Sequence, residues 1–344
     1  MVDLADEFGT QTGLISRIQS ILHRYPYLSP LTVLLGSMVI FTLLNERFIL
    51  ATNLSLMTQQ TVIVGTLAIA QTLIILTAGI DLSIGAIMVF GQMMMANLAA
   101  LEGTSNVQFG GWPAPVAILV GILVATLAGA FNGFLIVRFN LPPFIVTLGT
   151  LSVFTAITLI LFRARTIQGP ELPDTMLVMG DIWFSIGSFN IMAGVVVMLA
   201  LYAIFAYILR NTAWGTHIYA VGDDPEAAEL SGISSPRVLM GVYTVAGLIM
   251  GIGAWITIGR VGSASPNVAP DLNLDTITAV VIGGTSLFGG RGLLVGTLLG
   301  ACIVTVVSNG LSLAGLDQAY RVLAIGLLVI LAVALDQWIR KPKA

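Results

Sequence analysis

Apolar residues run through this chain in long blocks, broken by short stretches of glycine, proline and charge. A membrane-crossing helix needs about 20 mostly apolar residues, each adding 1.5 Å of rise. Ten blocks approach that length: 28–45, 58–77, 80–100, 114–137, 142–162, 190–209, 238–258, 275–290, 292–312 and 319–338. Glycine and polar residues interrupt the second, third, eighth and ninth, and only a few residues join these in pairs. The pattern predicts an all-α polytopic membrane protein with about ten transmembrane helices, some of them short or broken. No linker rich in Pro, Ser or charge divides the chain, so residues 28–344 read as one transmembrane domain. Residues 1–27 precede it. Their Leu14, Ile15, Ile18, Ile21 and Leu22 fall at helical spacing beside Arg17 and Arg24, which predicts a short interfacial helix or a frayed amphipathic terminus. Asp3, Asp6 and Glu7 come before any apolar run, so a cleavable signal peptide is not expected.

Composition supports lipid as the solvent. The chain has 344 residues, 57% hydrophobic and only 9% charged, with a mean hydropathy of +0.98. Soluble domains carry about a quarter of their residues charged, so water could not cover this surface. The net charge of −3 gives no nucleic-acid signal. One cysteine and two histidines exclude a disulfide framework and a Cys- or His-rich metal centre. No His, Cys or paired-acid constellation points to catalysis, and no cofactor is expected.

Lys and Arg in short loops set orientation. With the N-terminus in the cytoplasm, ten spans place Arg17, Arg24, Arg138, Arg210, Arg237, Arg291, Arg340, Lys341 and Lys343 inside. Arg47, Arg163, Arg165, Arg260 and Arg321 lie outside or near the outer face. Nine against five predicts cytoplasmic N- and C-termini and a cytoplasmic loop over 211–236.

That loop contains "AVGDDPEAAELSGI", with Asp223, Asp224, Glu226 and Glu229 in seven positions. Asp223 or Asp224 can cap a short helix, and Pro225 suits its first turn. Glu226 complements the helix dipole, and Gly232 can stop the helix in a left-handed conformation. A helix of about two turns is not stable alone in water. It is either a solvated loop helix or one held by a partner. The chain has no G-x-x-x-x-G-K-[ST] phosphate loop, so it does not bind ATP by that route.

Polar residues inside the spans are the other candidates. Asp81, with Ser83, reads either as a cap of the third span at the cytoplasmic edge or as a gate or proton group, because an intramembrane acid is costly. Gln59, Gln60, Gln71, Asn132, Thr147 and Asn309 read as interhelical hydrogen bonds or as a neutral lining for a hydroxyl-rich cargo. The Gly-rich breaks "TAGIDLSIGAI" (77–87) and "IGGTSLFGGRGLLVG" (282–296) look loosely alike, as in internal repeats with broken helices.

Five stretches together carry a family resemblance: "TAGIDLSIGAI", "NLPPFIVTLGT" (140–150), "TAWGTHIYAVGDDPEAAELSGI" (212–233), "TAVVIGGTSLFGGRG" (278–292) and "AVALDQWIRK" (332–341). The chain resembles the ribose-type permeases, the membrane subunits of bacterial sugar-importing ATP-binding-cassette transporters, from about residue 30 to its end. "AVGDDPEAA", "GRVGSASP" and "DQWIRK" look most similar to fructose-importing members, with ribose or mannose as alternative cargo. The resemblance implies an importer-permease architecture in the bacterial inner membrane and a homodimeric pore. It also implies an ATPase subunit and a periplasmic sugar-binding protein as partners. The family's coupling helix maps onto Gly222, Asp223, Asp224, Pro225, Glu226, Ala227, Ala228 and Glu229. Where many members have Glu-Leu-Asp, this chain has Asn273, Leu274 and Asp275, which leaves that glutamate's role unfilled. An ion-coupled secondary transporter of a small neutral solute is the alternative, and copurification of an ATPase separates the two.

Overall fold

The computed structural model describes residues 27–102, 107, 109–267, 271–327 and 330. The proposed interfacial helix, the end of the tenth apolar block and the basic tail lie outside the described residues. The α-helices of six residues or more are α1 (Leu28–Leu44), α2 (Ala51–Leu76), α3 (Ile84–Ala99), α4 (Ala114–Phe139), α5 (Pro143–Phe162), α6 (Ala193–Asn211), α7 (Ala213–Asp223), α8 (Pro225–Leu230), α9 (Ser235–Val261), α10 (Leu272–Ile282) and α11 (Leu294–Leu313). A further helical run covers 318–327.

Among the described residues, α2, α4, α5, α6, α9 and α11 are long and apolar enough to cross a membrane. The shorter apolar helices α1, α3 and α10 fall below that criterion. The apolar block at 275–290 is therefore not one span. Its helix stops at Ile282, and Gly284, Gly289 and Gly290 adopt φ of +87°, +84° and +67°. Helical φ is negative, so the chain must turn there. At 11 residues, α10 is about 16 Å long, roughly half a hydrocarbon core. The second block starts earlier than its hydropathy suggests, at Ala51, and the third starts at Ile84 after a break in which Ala78 has φ +58°.

Helix α2 is the buried centre; from Val64 to Leu76 every residue is buried. Around it α9, α11 and α6 pack, with Tyr202 on α6 donating to Gly65 O at 2.9 Å and the Thr72 and Thr297 hydroxyls 2.9 Å apart. Helices α4 and α9 meet almost backbone to backbone. A Cβ on Gly129 would stand 2.4 Å from Tyr243 O, and one on Gly247 would stand 2.6 Å from Ala125 O. In lipid, helices attract through close packing rather than hydrophobic exclusion, which favours small residues at such crossings. The outer sides of α1, α4 and α5 present large apolar residues, including Leu43, Leu119 and Ile160. That is the surface expected against acyl chains.

Two ends of the bundle differ. At one, strand β1 (Ile167–Gln168) pairs antiparallel with β4 (Ser263–Ala264), and β2 (Ile182–Ile186) forms a hairpin with β3 (Phe189–Met192). Asn190 ties that hairpin to Ser55 near the start of α2. At the other end stand the close of α2, the 283–293 loop and the α7–α8 segment, and the α2–α3 break runs inward from there.

Candidate functional site

Helix α8 forms as its sequence dictates. Asp224 Oδ1 accepts from the backbone N–H of Glu226 and of Ala227, both at 3.0 Å, and Pro225 fills the first helical position. Asp223 is the last residue of α7 and does not cap. At the far end Ile233 N donates to Ala228 O at 3.0 Å, and Gly232 takes φ +84°. Asp223, Asp224, Pro225, Glu226, Ala227 and Glu229 are exposed, whereas Ala228 is buried against the bundle. Leu230 is 92% exposed, an apolar side chain at the end of an acidic helix. Sequence reading passed over it; its place two residues before the stop glycine was the available signal.

Gly222 corrects the mapped segment. It is buried at the end of α7, and a Cβ there would stand 1.7 Å from Leu76 O and 2.7 Å from Gly290 N. It belongs to a packed joint, not to the exposed face. In that joint Gly290 N donates to Leu76 O at 3.0 Å, and Tyr219 donates to Gly292 O at 2.8 Å. The two Gly-rich breaks that look alike in sequence thus touch each other and the α7–α8 turn.

Next to the joint lies a buried polar turn. Asp81 Oδ1 accepts from Ser83 N and from Ser83 Oγ, each at 2.6 Å. Asn132 Nδ2 donates to Ser83 Oγ at 2.8 Å, and Thr147 donates to Ile80 O at 3.1 Å. All four side chains are buried. Asp81 Oδ2, Asn132 Oδ1 and the Tyr243 hydroxyl have no hydrogen-bond partner among the described residues. Tyr243 reaches this turn from α9: its hydroxyl is 3.0 Å from where a Cβ on Gly79 would stand. Tyr243 is eight residues from the start of α9, about 12 Å along the axis, so the turn sits inside the bundle rather than at its edge. The amide of Gly85, in the first turn of α3, is taken by Asn273 Oδ1 at 2.7 Å. Helices α3 and α10 therefore begin beside each other in the interior, and Asn273 joins them.

The remaining candidates separate. Gln60 and Asn309 line a cleft of about 330 Å³ with Asn53, Asp275, Ser308 and Arg321. Asn53 and Asn309 pair their amides reciprocally at 3.0 and 3.1 Å. Gln59 instead donates to Ser55 Oγ at 3.3 Å, while its backbone oxygen receives Arg260 Nε at 3.0 Å. Gln71 is fully buried, and neither amide atom has a partner among the described residues. The six neutral polar residues do not form one continuous lining: Asn132 and Thr147 join the Asp81 turn, and Gln60 and Asn309 join the cleft.

Residues 53–333 match a family described as the permease component of the branched-chain amino acid transport system. The match covers more than half of the chain. The chain belongs to this permease family. Its similarity to a fructose import permease protein of Rhizobium meliloti reaches 45% identity over 345 residues, covering 99% of this chain and 94% of that protein. A ribose import permease protein of Bacillus subtilis (strain 168) is 34% identical over 310 residues, covering 90% of this chain and 92% of its own. A galactose/methyl galactoside import permease protein of Haemophilus influenzae is 32% identical over 270 residues, covering 76% and 80%. No solved structure matches the chain. The permease is thus a membrane transport component, from a family of transporters rather than enzymes, and these relatives carry sugar names although the family description names amino acids.

Proposed function

We propose that this chain is the membrane-spanning subunit of a sugar-importing ATP-binding-cassette transporter. It passes a monosaccharide across the bacterial inner membrane, with fructose favoured and ribose or mannose as alternatives. The observation that carries the reading is the shape of the α7–α8 segment. An exposed, capped, acidic helix too short to stand alone is backed by a joint of glycine and main chain. A push on α8 reaches the α2–α3 break and the 283–293 loop through Gly222 without a flexible side chain between them. A separate ATPase subunit that grips Asp223 to Glu229 would use this route, and a periplasmic binding protein would deliver sugar to the opposite end. Cytoplasmic termini and a second permease copy complete the assembly. Asp81 and Ser83 hold the turn of the break, placed where a gate would move, while Asn273 rather than Asp81 takes an amide of the first turn of α3.

Reconstitution with the candidate ATPase and sugar-binding protein tests the reading. D-Fructose-loaded binding protein should raise ATP hydrolysis above the unloaded level and drive uptake. Stimulation by leucine and by no monosaccharide overturns the substrate class. Cysteine labelling at Glu229 from the periplasmic side would overturn the orientation.

A further inference from the structure

We propose that the cleft between α2, α10, α11 and the 318–327 helix is a transient binding station for a neutral polyhydroxyl solute, held between Asp275 and Arg321. The proposal rests on the sugar-import reading and deepens it by locating the cargo within one subunit.

The cleft is built from two helical stripes. Asn53, Leu56, Gln60 and Val64 recur at helical spacing on α2, and Ser308, Asn309 and Ser312 face them from α11. The α2 stripe runs from the first turn to the midpoint of that helix, 11 residues or about 17 Å. Along it polar Asn53 and Gln60 alternate with apolar Leu56 and Val64, whereas the lipid-facing sides of the outer helices are apolar. Asp275 enters from the first turn of α10, the half-length helix that starts in the interior. Arg321 enters from the 318–327 helix.

The two charges share the cleft without pairing. Among the described residues the one ion pair is Arg165–Glu171, and both Asp275 Oδ1 and Arg321 Nε are buried with no hydrogen-bond partner. An ionised carboxylate only accepts and a guanidinium only donates. Buried groups of this kind are costly unless satisfied. A hydroxyl can donate to one and accept from the other, so a ligand with several hydroxyls satisfies both without adding charge. A lone cation would face Arg321 and a lone anion would face Asp275. A zwitterionic amino acid also matches two opposite charges. The neutral amide of Gln60 and the hydroxyls of Ser308 and Ser312 favour the polyol, since they offer further partners to hydroxyls and little to an aliphatic side chain.

The test uses the assembled transporter in proteoliposomes, with D-fructose and L-leucine as probes. In a Cys302→Ala background, Ser308→Cys should react with a membrane-impermeant thiosulfonate, and D-fructose should slow that reaction several-fold while L-leucine should not. Asp275→Asn and Arg321→Gln should each lower D-fructose uptake by roughly tenfold or more, the scale of a lost hydrogen bond to a charged group. Sugar-loaded binding protein should still stimulate ATP hydrolysis in both. An unreactive Ser308→Cys thiol, protection by leucine rather than fructose, or wild-type uptake in both charge variants overturns the station while leaving sugar import standing. A wild-type complex that moves no monosaccharide fails the import reading itself, and the station with it. If a charge variant does not assemble, the labelling result decides, because Ser308→Cys keeps both charges.

Discussion

Asp224 and Asp81 make the same local bond in opposite surroundings. Each carboxylate accepts from the backbone N–H two residues on, Glu226 N at 3.0 Å and Ser83 N at 2.6 Å. Asp224 stands exposed at the start of a helix that keeps its acidic side chains outward and buries Ala228 against the bundle. Asp81 is buried at a turn between two helices, with Oδ2 lacking a partner among the described residues. One motif therefore yields an adjustable surface handle in one place and a fixed internal clasp in the other. The difference comes from what surrounds the bond, and the joint at Gly222 lies between the two.

The largest effect should come from that joint. Gly222→Val places a branched side chain where even a Cβ meets the Leu76 carbonyl at 1.7 Å, and that backbone has nowhere to retreat. Folded, detergent-stable protein should be lost, as measured by size-exclusion yield and thermal melting. A well-folded, transport-competent Gly222→Val would show that α8 is not rigidly joined to the breaks. Charge reversal at the handle should act on function alone. Glu226 and Glu229 are exposed, so Glu226→Lys with Glu229→Lys should leave insertion and melting unchanged while sugar-stimulated ATP hydrolysis and uptake collapse together. Like charges across an interface cost several kcal/mol. Normal uptake in the double variant would return α8 to the status of a solvated loop.

Smaller effects separate the two aspartates. Asp81→Ala removes both bonds to Ser83 and strands buried donors, costing about 1–3 kcal/mol in stability. Asp81→Asn keeps an acceptor, so its melting temperature should stay close to wild type. If uptake nevertheless falls in Asp81→Asn, the charge itself serves the gate; unchanged uptake assigns Asp81 to holding the turn alone. At the surface, Asp224→Ala should cost about 1 kcal/mol or less, and Asp224→Ser should be nearly silent because serine also caps. Hydrogen exchange over 225–231 would register that loss. An Asp224→Ala cost as large as that of Asp81→Ala would erase the contrast between the open cap and the buried turn.

Much of the cap chemistry was legible before any coordinates. The Asp-Asp-Pro-Glu start and the Gly232 stop of α8 are local, because the groups that satisfy one another lie within five residues. Choosing Asp224 over Asp223 needed the structure, since α7 runs on through Asp223 and removes it from the cap position. Gly222 was grouped with the partner-facing residues because a glycine beside an acidic run carries no mark of what presses against it. Leu76 and Gly290, which do, are remote in sequence.

By itself the sequence determined a helical membrane protein, its long apolar spans, the places where glycine breaks them and the capped acidic helix. These follow from hydropathy, backbone freedom and hydrogen bonds a few residues apart. Only the tertiary structure decided that the block at 275–290 is a half-length helix and a turn, that Asn273 closes the start of α3, and that Asn132 and Thr147 bond Ser83 and Ile80 of the Asp81 turn rather than joining Gln60. It alone set Asp275 and Arg321 across one cleft. Those outcomes depend on contacts between residues tens to hundreds of positions apart, and polar side chains in lipid find whichever partner the helix packing brings within about 3 Å.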